Sequence, residues 1–504
     1  MRTLSWLVAF SLFSSVGFAQ ALEPCGSIAE RSPWLKEFQQ RLLHEHRPTA
    51  TQHTLALEVH LLANDPGSEF DYGRALQTLG ALERDFVGTG IGFRANLDFD
   101  TLYSAQFNDH ATVLEGADMM FANNVDNALN LYFVGNPAGN CGYNLPYAGI
   151  AVSSQCAGAS SKTIAHEVGH ALSLPHPFLG WEGGQTADGS MPANFSAPAP
   201  EAVTYDYTYF QDTLIRDTLI IDTALVEFVD RRNCLDAADG FCDTPADYLA
   251  GRWTCDDNGE STTVQLDPEG VSFRSDGSLI MNYANDDCQT RFSADQQLAM
   301  QAFIEEERSY WQTTQGDTAK IHDEVLPAYV DGDLLPDPFT LPMTAVANAT
   351  HYFVQISTRR SFSVLVAETV TTSPNVDLDP SDFEPGTTYY WRAYPFSDHS
   401  FRASYSPRAS FVYPEQVATT TPRPAEVTVF PNPVLSGHAI TLPKKWTNAT
   451  YSVVNSLGQQ VQSGSLTSAA VLQIGDEYPS GNYVVHLMPT ADSPRAGVAR
   501  FVVN

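Results

Sequence analysis

Basic residues are scarce in this chain. Its 504 residues include 27 Lys and Arg against 59 Asp and Glu, a formal charge of −32. A surface so negative is a poor match for a phosphate backbone, which sets nucleic-acid binding aside. Charge of either sign is low, at 17%, while Thr, Ser, Asn, Tyr, Gly and Pro are plentiful. That mix is common in exported, strand-rich proteins and disfavours a cytosolic helical enzyme. Long apolar runs are missing beyond the first twenty residues, and none approaches the ~18 apolar residues of a membrane-spanning helix. The mature chain is therefore expected to carry no span. Core-forming residues are not lacking: 43% hydrophobic and 11% aromatic content excludes a mostly disordered chain. At roughly 150 residues per domain, the length implies three to four domains.

The first residues set the compartment. Met1-Arg2 gives a positive start, Leu4 to Phe18 is an apolar run, and Gly17-Phe18-Ala19 offers small residues for cleavage. This predicts a secretory signal peptide at 1–19, and export places the cysteines in an oxidising environment. There are seven. Six of them (Cys141, Cys156, Cys234, Cys242, Cys255, Cys288) fall in one central stretch, and Cys25 stands alone just after the signal. The economical expectation is three disulfides among the six with Cys25 free. Six cysteines allow 15 connectivities, and spacing does not choose among them.

Beyond the signal, 20–48 is polar with helical spacing at Trp34-Leu35, Phe38 and Leu42-Leu43, stopped by Pro48. A strand follows over Thr54 to Leu62. Next comes an amphipathic helix, Tyr72 to Phe86, with Ala75, Leu76, Leu79, Leu82 and Phe86 on one side. Strands and helices then alternate to about Trp311, interrupted at 177–232 by a segment rich in Gly, Pro, Ala and Tyr that reads as loops over the core. After a connector the pattern turns to strands, His351 to Ile356 and Thr388 to Tyr394, with the latter preceded by a Pro385-Gly386 turn. A Thr- and Pro-rich linker, Val417 to Pro424, separates a final set of short strands.

The segment that carries chemistry is Thr163-Ile164-Ala165-His166-Glu167-Val168-Gly169-His170-Ala171-Leu172-Ser173-Leu174-Pro175-His176. On a helix, His166 and His170 share a face and can offer imidazole nitrogens to one ion. Glu167 sits one step round, in reach of a metal-bound water without being a ligand. Catalytic zinc takes three protein ligands and leaves one position open, which lowers the pKa of its water toward ~7. A neighbouring carboxylate then takes that proton and returns it to the leaving amine. His176 supplies the third ligand if the helix stops in time, and Pro175 stops it.

This arrangement resembles the metzincin metalloproteases, with Ser173 where their motif has Gly. Left-handed backbone costs a Ser roughly 1–2 kcal/mol. The resemblance implies a Met in a tight turn beneath the zinc. Ser278-Leu279-Ile280-Met281-Asn282-Tyr283 fits, about 105 residues beyond His176, with Met281 as the turn residue and Tyr283 as a donor to the developing oxyanion. Cys242-Asp243-Thr244-Pro245 resembles an element of the pappalysin-like (cytophagalysin) branch. That branch implies a disulfide between Cys255 and Cys288, and structural calcium near Asp239, Asp243 and Thr244, whose oxygens suit a hard cation. A hydrogen-bonded acidic turn is the alternative there. It also implies that Asp286 lies at the base of the pocket for the residue after the cut bond, selecting Arg and then Lys. A solvated turn acid is the alternative. Cys25-Gly26-Ser27 resembles the Cys-Gly-Thr of the same proteases' pro-segments, which makes Cys25 a candidate fourth zinc ligand in a latent form. Release would follow a cut within 40–52, where Arg41 and Arg47 are available.

The segment 335–414 resembles a fibronectin type III module. In 424–504, Phe430-Pro431-Asn432-Pro433, Ser456-Leu457-Gly458 and Pro479-Ser480-Gly481-Asn482-Tyr483 stand in order and resemble the C-terminal sorting domain read by type IX secretion systems. The expected fold is thus multidomain. A pro-segment at 20–50 precedes an α/β metzincin-like catalytic domain at 51–315, with a twisted sheet, zinc helix and Met-turn, and two all-β sandwiches follow. The expected function is a secreted zinc endopeptidase made as a zymogen, acting on proteins or peptides and recognised by the type IX machinery. A rival from another class is a surface adhesin on an inactive metalloprotease fold. Decayed enzymes lose Glu or a His, whereas His166, Glu167, His170 and His176 are all present. A second rival is zinc-dependent amide hydrolysis of cell-wall or small substrates.

Overall fold

A computed structural model describes residues 22–27, 31–44, 52–66, 71–97, 99–182, 195–206, 221–314, 319–326, 333–334, 340–413, 424–475, 477–489 and 496–504. The expected signal peptide, the part of the activation stretch holding Arg47, and most of the Thr-Pro linker lie outside these.

The first large unit is mixed α/β. Helix α1 (Pro33–His44) precedes strand β1 (His53–Ala63) and helix α2 (Tyr72–Asp85). Strands β2 (Ile91–Ala95), β3 (Asp100–Tyr103), β4 (Leu129–Val134), β5 (Gly142–Leu145) and β6 (Gly149–Ser153) follow. The sheet order is β2-β1-β4-β6-β5, with β3 pairing the far half of β1. All pairings are parallel except β5 with β6. β1 alternates buried and half-buried residues at its start and is buried throughout its second half, as a strand covered on both faces must be. Helix α3 (Thr163–Ala171) lies beneath β5 and β6 and against α2, and every residue in it is buried. The α2 face read from the sequence, Ala75, Leu76, Leu79, Leu82 and Phe86, joins one core with Ile164, Ala165 and Val168 of α3 and with helix α4 (Ala294–Glu307). Within 177–232, the described parts include an antiparallel ribbon, Ala202–Asp206 with Ile221–Leu225. The disulfides are Cys141–Cys156, Cys234–Cys242 and Cys255–Cys288, and Cys25 is free and buried.

Two strand-built units follow. In 340–413 four strands, joined at one edge by Asp333–Leu334 to make a five-stranded sheet, and the pair Thr340–Pro342 with Asn375–Asp377 enclose one core, in which Leu341 and Val376 meet Tyr352, Val354, Ile356, Trp391 and Phe411. In 424–504 a second five-stranded sheet and a two-stranded one close over Trp446, Val453, Leu472, Val485 and Phe501.

The first of these units is welded to the α/β unit. Strand His351–Ser357 sends Tyr352, Val354 and Ile356 into its own core, and Phe353 on the opposite face joins the core of the α/β unit with Tyr394, Phe396 and Phe401. Tyr72 of α2 packs on Phe353 at 5.2 Å between ring centroids. Glu83 Oε2 accepts from the backbone N–H of Phe401 and Arg402 at 2.7 and 3.0 Å, and Asp398 pairs with Arg94. Gly80 makes the close approach possible, because a Cβ there would sit 2.5 Å from the Phe401 carbonyl oxygen.

Candidate metal centre and active site

Helix α3 ends in a Schellman turn. Ser173 N–H donates to the His170 carbonyl at 2.9 Å and Leu174 N–H to the Gly169 carbonyl at 2.9 Å. Ser173 adopts the left-handed conformation, φ 73°, so the backbone expected of a Gly is kept without one. Pro175 follows, and the reversed chain returns His176 to the helix face. The three Nε2 atoms of His166, His170 and His176 lie 3.1 Å from one another.

Each imidazole is oriented through its other nitrogen. His166 Nδ1 donates to the Ile280 carbonyl at 2.8 Å and His170 Nδ1 to the Leu174 carbonyl at 2.7 Å. His176 Nδ1 lies 3.2 Å from Glu182 Oε1, a carboxyl group that burial raises to about 8, and donates to it in the tautomer that leaves Nε2 free. With protons placed on Nδ1, three Nε2 lone pairs face one another. Burial pushes His166 and His176 down to about 3 and His170 well below its usual value, so all three stay neutral, the form that binds metals.

A fourth candidate donor comes from the N-terminal segment. Cys25 Sγ lies 3.5 Å from His170 Nε2, and among the described residues the four donor atoms are the one acidic, thiol or imidazole group gathered within 4.8 Å. Tetrahedral zinc with Zn–N of 2.0–2.1 Å and Zn–S of 2.3 Å implies about 3.3–3.4 Å between nitrogens and about 3.5–3.6 Å from nitrogen to sulfur. The donor set fits zinc in kind and spacing.

Residues 23–27 run parallel to 139–144 at the sheet edge. Cys141 N–H donates to the Glu23 carbonyl at 2.7 Å and Gly26 N–H to the Gly142 carbonyl at 2.8 Å. Two residues along this strand from Cys25, Ser27 Oγ donates to Glu167 Oε2 at 2.7 Å and accepts from Asn144 N–H at 2.8 Å. Among the described residues the other Glu167 oxygen, Oε1, is buried with no hydrogen-bond partner. Burial raises Glu167 to about 7, with Ser27 pulling the other way. Helix α1 anchors the same segment. Leu35 and Phe38 enter the main core, Trp34 meets Phe303 edge-on at 4.8 Å, Arg41 pairs with Glu306 at 2.9 Å, and Gln39 donates to the Asp239 carbonyl at 2.8 Å.

Met281 is fully buried below α3, where a Cβ on Gly169 would collide with its sulfur. Tyr283 packs on His176 at 4.9 Å between ring centroids. Burial, then Cys25, Glu182 and Glu167, hold its hydroxyl protonated. Asp286 lies outside the donor cluster. Its carboxylate pairs with Arg252 at 3.1 Å and accepts from Lys162 N–H at 3.4 Å, at the start of α3. Asp239 Oδ1 accepts from Thr244 Oγ1 at 2.9 Å, and among the described residues its Oδ2 is buried without a partner, as are Glu227 Oε1 and Asp247 Oδ2. Asp243 is spent on the start of α4, where it accepts from Ser293 Oγ at 2.8 Å and Asp295 N–H at 2.9 Å. A cavity of about 480 Å³ lies apart from the centre, lined by β1, β2 and Asp398 among others.

Ser27, Glu182, Glu227, Asp247 and Arg252 do not emerge from sequence reading. Only Ser27 had a usable signal, since residues i and i+2 of an extended strand point the same way.

No protein with a curated description matches the chain. Among solved structures, a promirolysin mutant of Tannerella forsythia is similar at 15% identity, over 57% of this chain and 97% of that one, with a TM-score of 0.36. The FN1–FN3 domains of chicken CNTN1 overlap 36% of this chain and 64% of theirs at 12% identity, with a TM-score of 0.14. At such scores neither overlap defines a fold. Residues 428–497 match the family of secretion system C-terminal sorting domains, and no helix among the described residues is long and apolar enough to cross a membrane. The C-terminal unit is therefore a type IX sorting domain, and the protein is secreted or displayed on the outer cell surface.

Proposed function

We propose that the chain is a secreted zinc endopeptidase of the pappalysin-like metzincin type, made latent by residues 20–50. The observation that carries this reading is the convergence of three imidazole Nε2 atoms at 3.1 Å beside a buried carboxylate. His166, His170 and His176 would hold a zinc ion. Zinc there supplies a Lewis acid that polarises a peptide carbonyl and acidifies water.

The remaining roles fall to the chain itself. Glu167, raised to about 7, takes a proton at its carboxylate and returns it to the leaving amine. The Tyr283 hydroxyl donates to the carbonyl oxygen as negative charge develops there. Met281 supports α3 from below. In the latent form Cys25 fills the coordination sphere and Ser27 occupies Glu167, so one short segment blocks both metal and base. A cut within 40–52 begins its release.

Asp286 selects Arg, then Lys, after the cut bond. Its contact with the Arg252 guanidinium at 3.1 Å is the kind a substrate side chain would make on displacing Arg252. Calcium bound near Asp239, Asp243 and Thr244 would satisfy the orphaned Asp239 oxygen, and Glu227 and Asp247 extend the candidate ligand set. The unit at 335–414 is a fibronectin type III-like sandwich that supports substrate or spaces the catalytic unit, and the sorting unit is recognised by the type IX machinery. Metal analysis and a peptide-library digest of the processed chain test the reading. One zinc per chain and cleavage before Arg or Lys are expected; a metal-free chain without peptidase activity overturns it.

A further inference from the structure

The three ligand histidines are not held alike. His166 and His170 sit on α3 and donate Nδ1–H to backbone carbonyls whose positions the helix end and the Met281 turn fix. His176 lies beyond the helix, after the left-handed Ser173 and Pro175, and among the described residues no backbone acceptor serves its Nδ1. Its acceptor is a side chain, Glu182, in a Gly-flanked stretch of the chain. Glu182 Oε2 is itself fixed by the Gly180 N–H at 2.6 Å, and the His176 ring stacks on Phe178 at 4.6 Å. Seven residues thus close a small loop, His176 to Glu182, in which the carboxyl group has one oxygen for the ring and one for the backbone.

We infer that Glu182 is the positioning residue of the metal centre, holding His176 in the Nδ1–H tautomer with its Nε2 lone pair aimed at the ion. This rests on the zinc reading above and adds a residue to it. A carboxylate on the distal nitrogen of a histidine ligand fixes ring orientation and raises ligand basicity, and losing such a partner costs about 10–100-fold in metal affinity. The dependence should be greatest at His176, the ligand with the least helical support.

The test uses the full-length chain and two readouts. Zinc affinity is measured by chelator competition for the parent, Glu182→Ala and Glu182→Gln. The His176 tautomer is read in the metal-free chain from long-range nitrogen–proton NMR correlations. Glu182→Ala should weaken zinc about 10–100-fold and release the Nδ1–H preference of His176 alone, leaving His166 and His170 unchanged. Glu182→Gln, whose single amide oxygen serves His176 or Gly180 but not both, should fall between parent and Ala. It also keeps the question answerable if the Ala variant fails to fold. Phe178→Leu loosens the same loop without touching the hydrogen bond and should leave the tautomer as in the parent. Zinc affinity within twofold of the parent in Glu182→Ala, or an unchanged His176 tautomer, overturns the assignment. A parent chain that binds no zinc but shows the tautomer shift sinks the hydrolase reading and leaves the Glu182 hydrogen bond standing.

Discussion

Two groups of buried titratable side chains lie in the same unit, and they are built on opposite terms. At the proposed metal centre every imidazole has a partner for its Nδ1 proton, and three lone pairs converge within 3.1 Å. Around Asp239, Glu227 and Asp247 each carboxylate keeps one buried oxygen without a partner, and the group does not gather within the 4.8 Å that encloses the imidazoles and Cys25. Burial keeps the first group neutral and ready to bind. The same effect lifts Asp247 to about 6, Asp239 to about 7, against the pull of the Arg31 guanidinium, and Glu227 to about 9, so each carboxyl group holds its proton to a higher pH than in water. The first site is preorganised by hydrogen bonds, whereas the second keeps buried oxygens that a proton or, in the calcium proposal, a cation would satisfy.

The largest effect expected from this contrast is at the imidazoles. His170→Ala should remove zinc from the purified chain and lower peptide turnover by more than about a thousandfold, read by metal content and by a fluorogenic peptide. Retention of stoichiometric zinc would break the comparison. Next comes the pH dependence of the acidic group. Folded pKa values raised above unfolded ones of about 4 mean that this contribution to stability is complete below about pH 4 and is lost as pH climbs through 6, 7 and 9. In chelator, the melting temperature should fall by several degrees between pH 5 and pH 9, and millimolar calcium should restore it. A melting temperature that calcium leaves unmoved at pH 9 removes the calcium proposal.

Smaller effects sharpen the picture of the latent state. Cys25→Ala should switch on part of the activity of the unprocessed chain. Adding Ser27→Ala should raise it about tenfold further, the scale of a hydrogen bond to a charged group. An unprocessed Cys25→Ala chain as silent as its parent counts against the switch. The smallest effect expected is at Asp286, where Asp286→Ala should cut the preference for Arg over Leu after the scissile bond by about tenfold. Cleavage mapping that finds the preference intact returns Asp286 to its pairing with Arg252 and its place at the start of α3.

What the sequence made legible follows from periodicity and local chemistry. His166 and His170 are one helical turn apart, Pro175 marks the helix end, and the apolar face of α2 is written in its spacing. All of these are contacts within a few residues, or faces fixed by the helical repeat. Cys25 was legible as a free thiol by elimination, and its place beside the imidazoles only through the resemblance of Cys25-Gly26-Ser27 to a family pro-segment. Glu182 was not, because a single acid among glycines carries no period and its partner depends on a loop closing in space. Glu227 and Asp247 were equally silent, since their burial is set by packing from distant segments. The weld between α2 and the strand unit was missed for a related reason. An apolar run such as Tyr352-Phe353-Val354 says that both faces are covered without saying by what, and the second cover proved to be Tyr72 and its neighbours.

Turnover of a peptide mixture by the zinc-loaded chain after removal of residues 20–50, set beside Glu167→Ala prepared the same way, tests the central claim most directly. The account predicts peptide cleavage by the parent and a loss of about a hundred- to ten-thousandfold in the variant, with zinc still bound. Equal turnover by both, or none by a parent that holds its zinc, would contradict it.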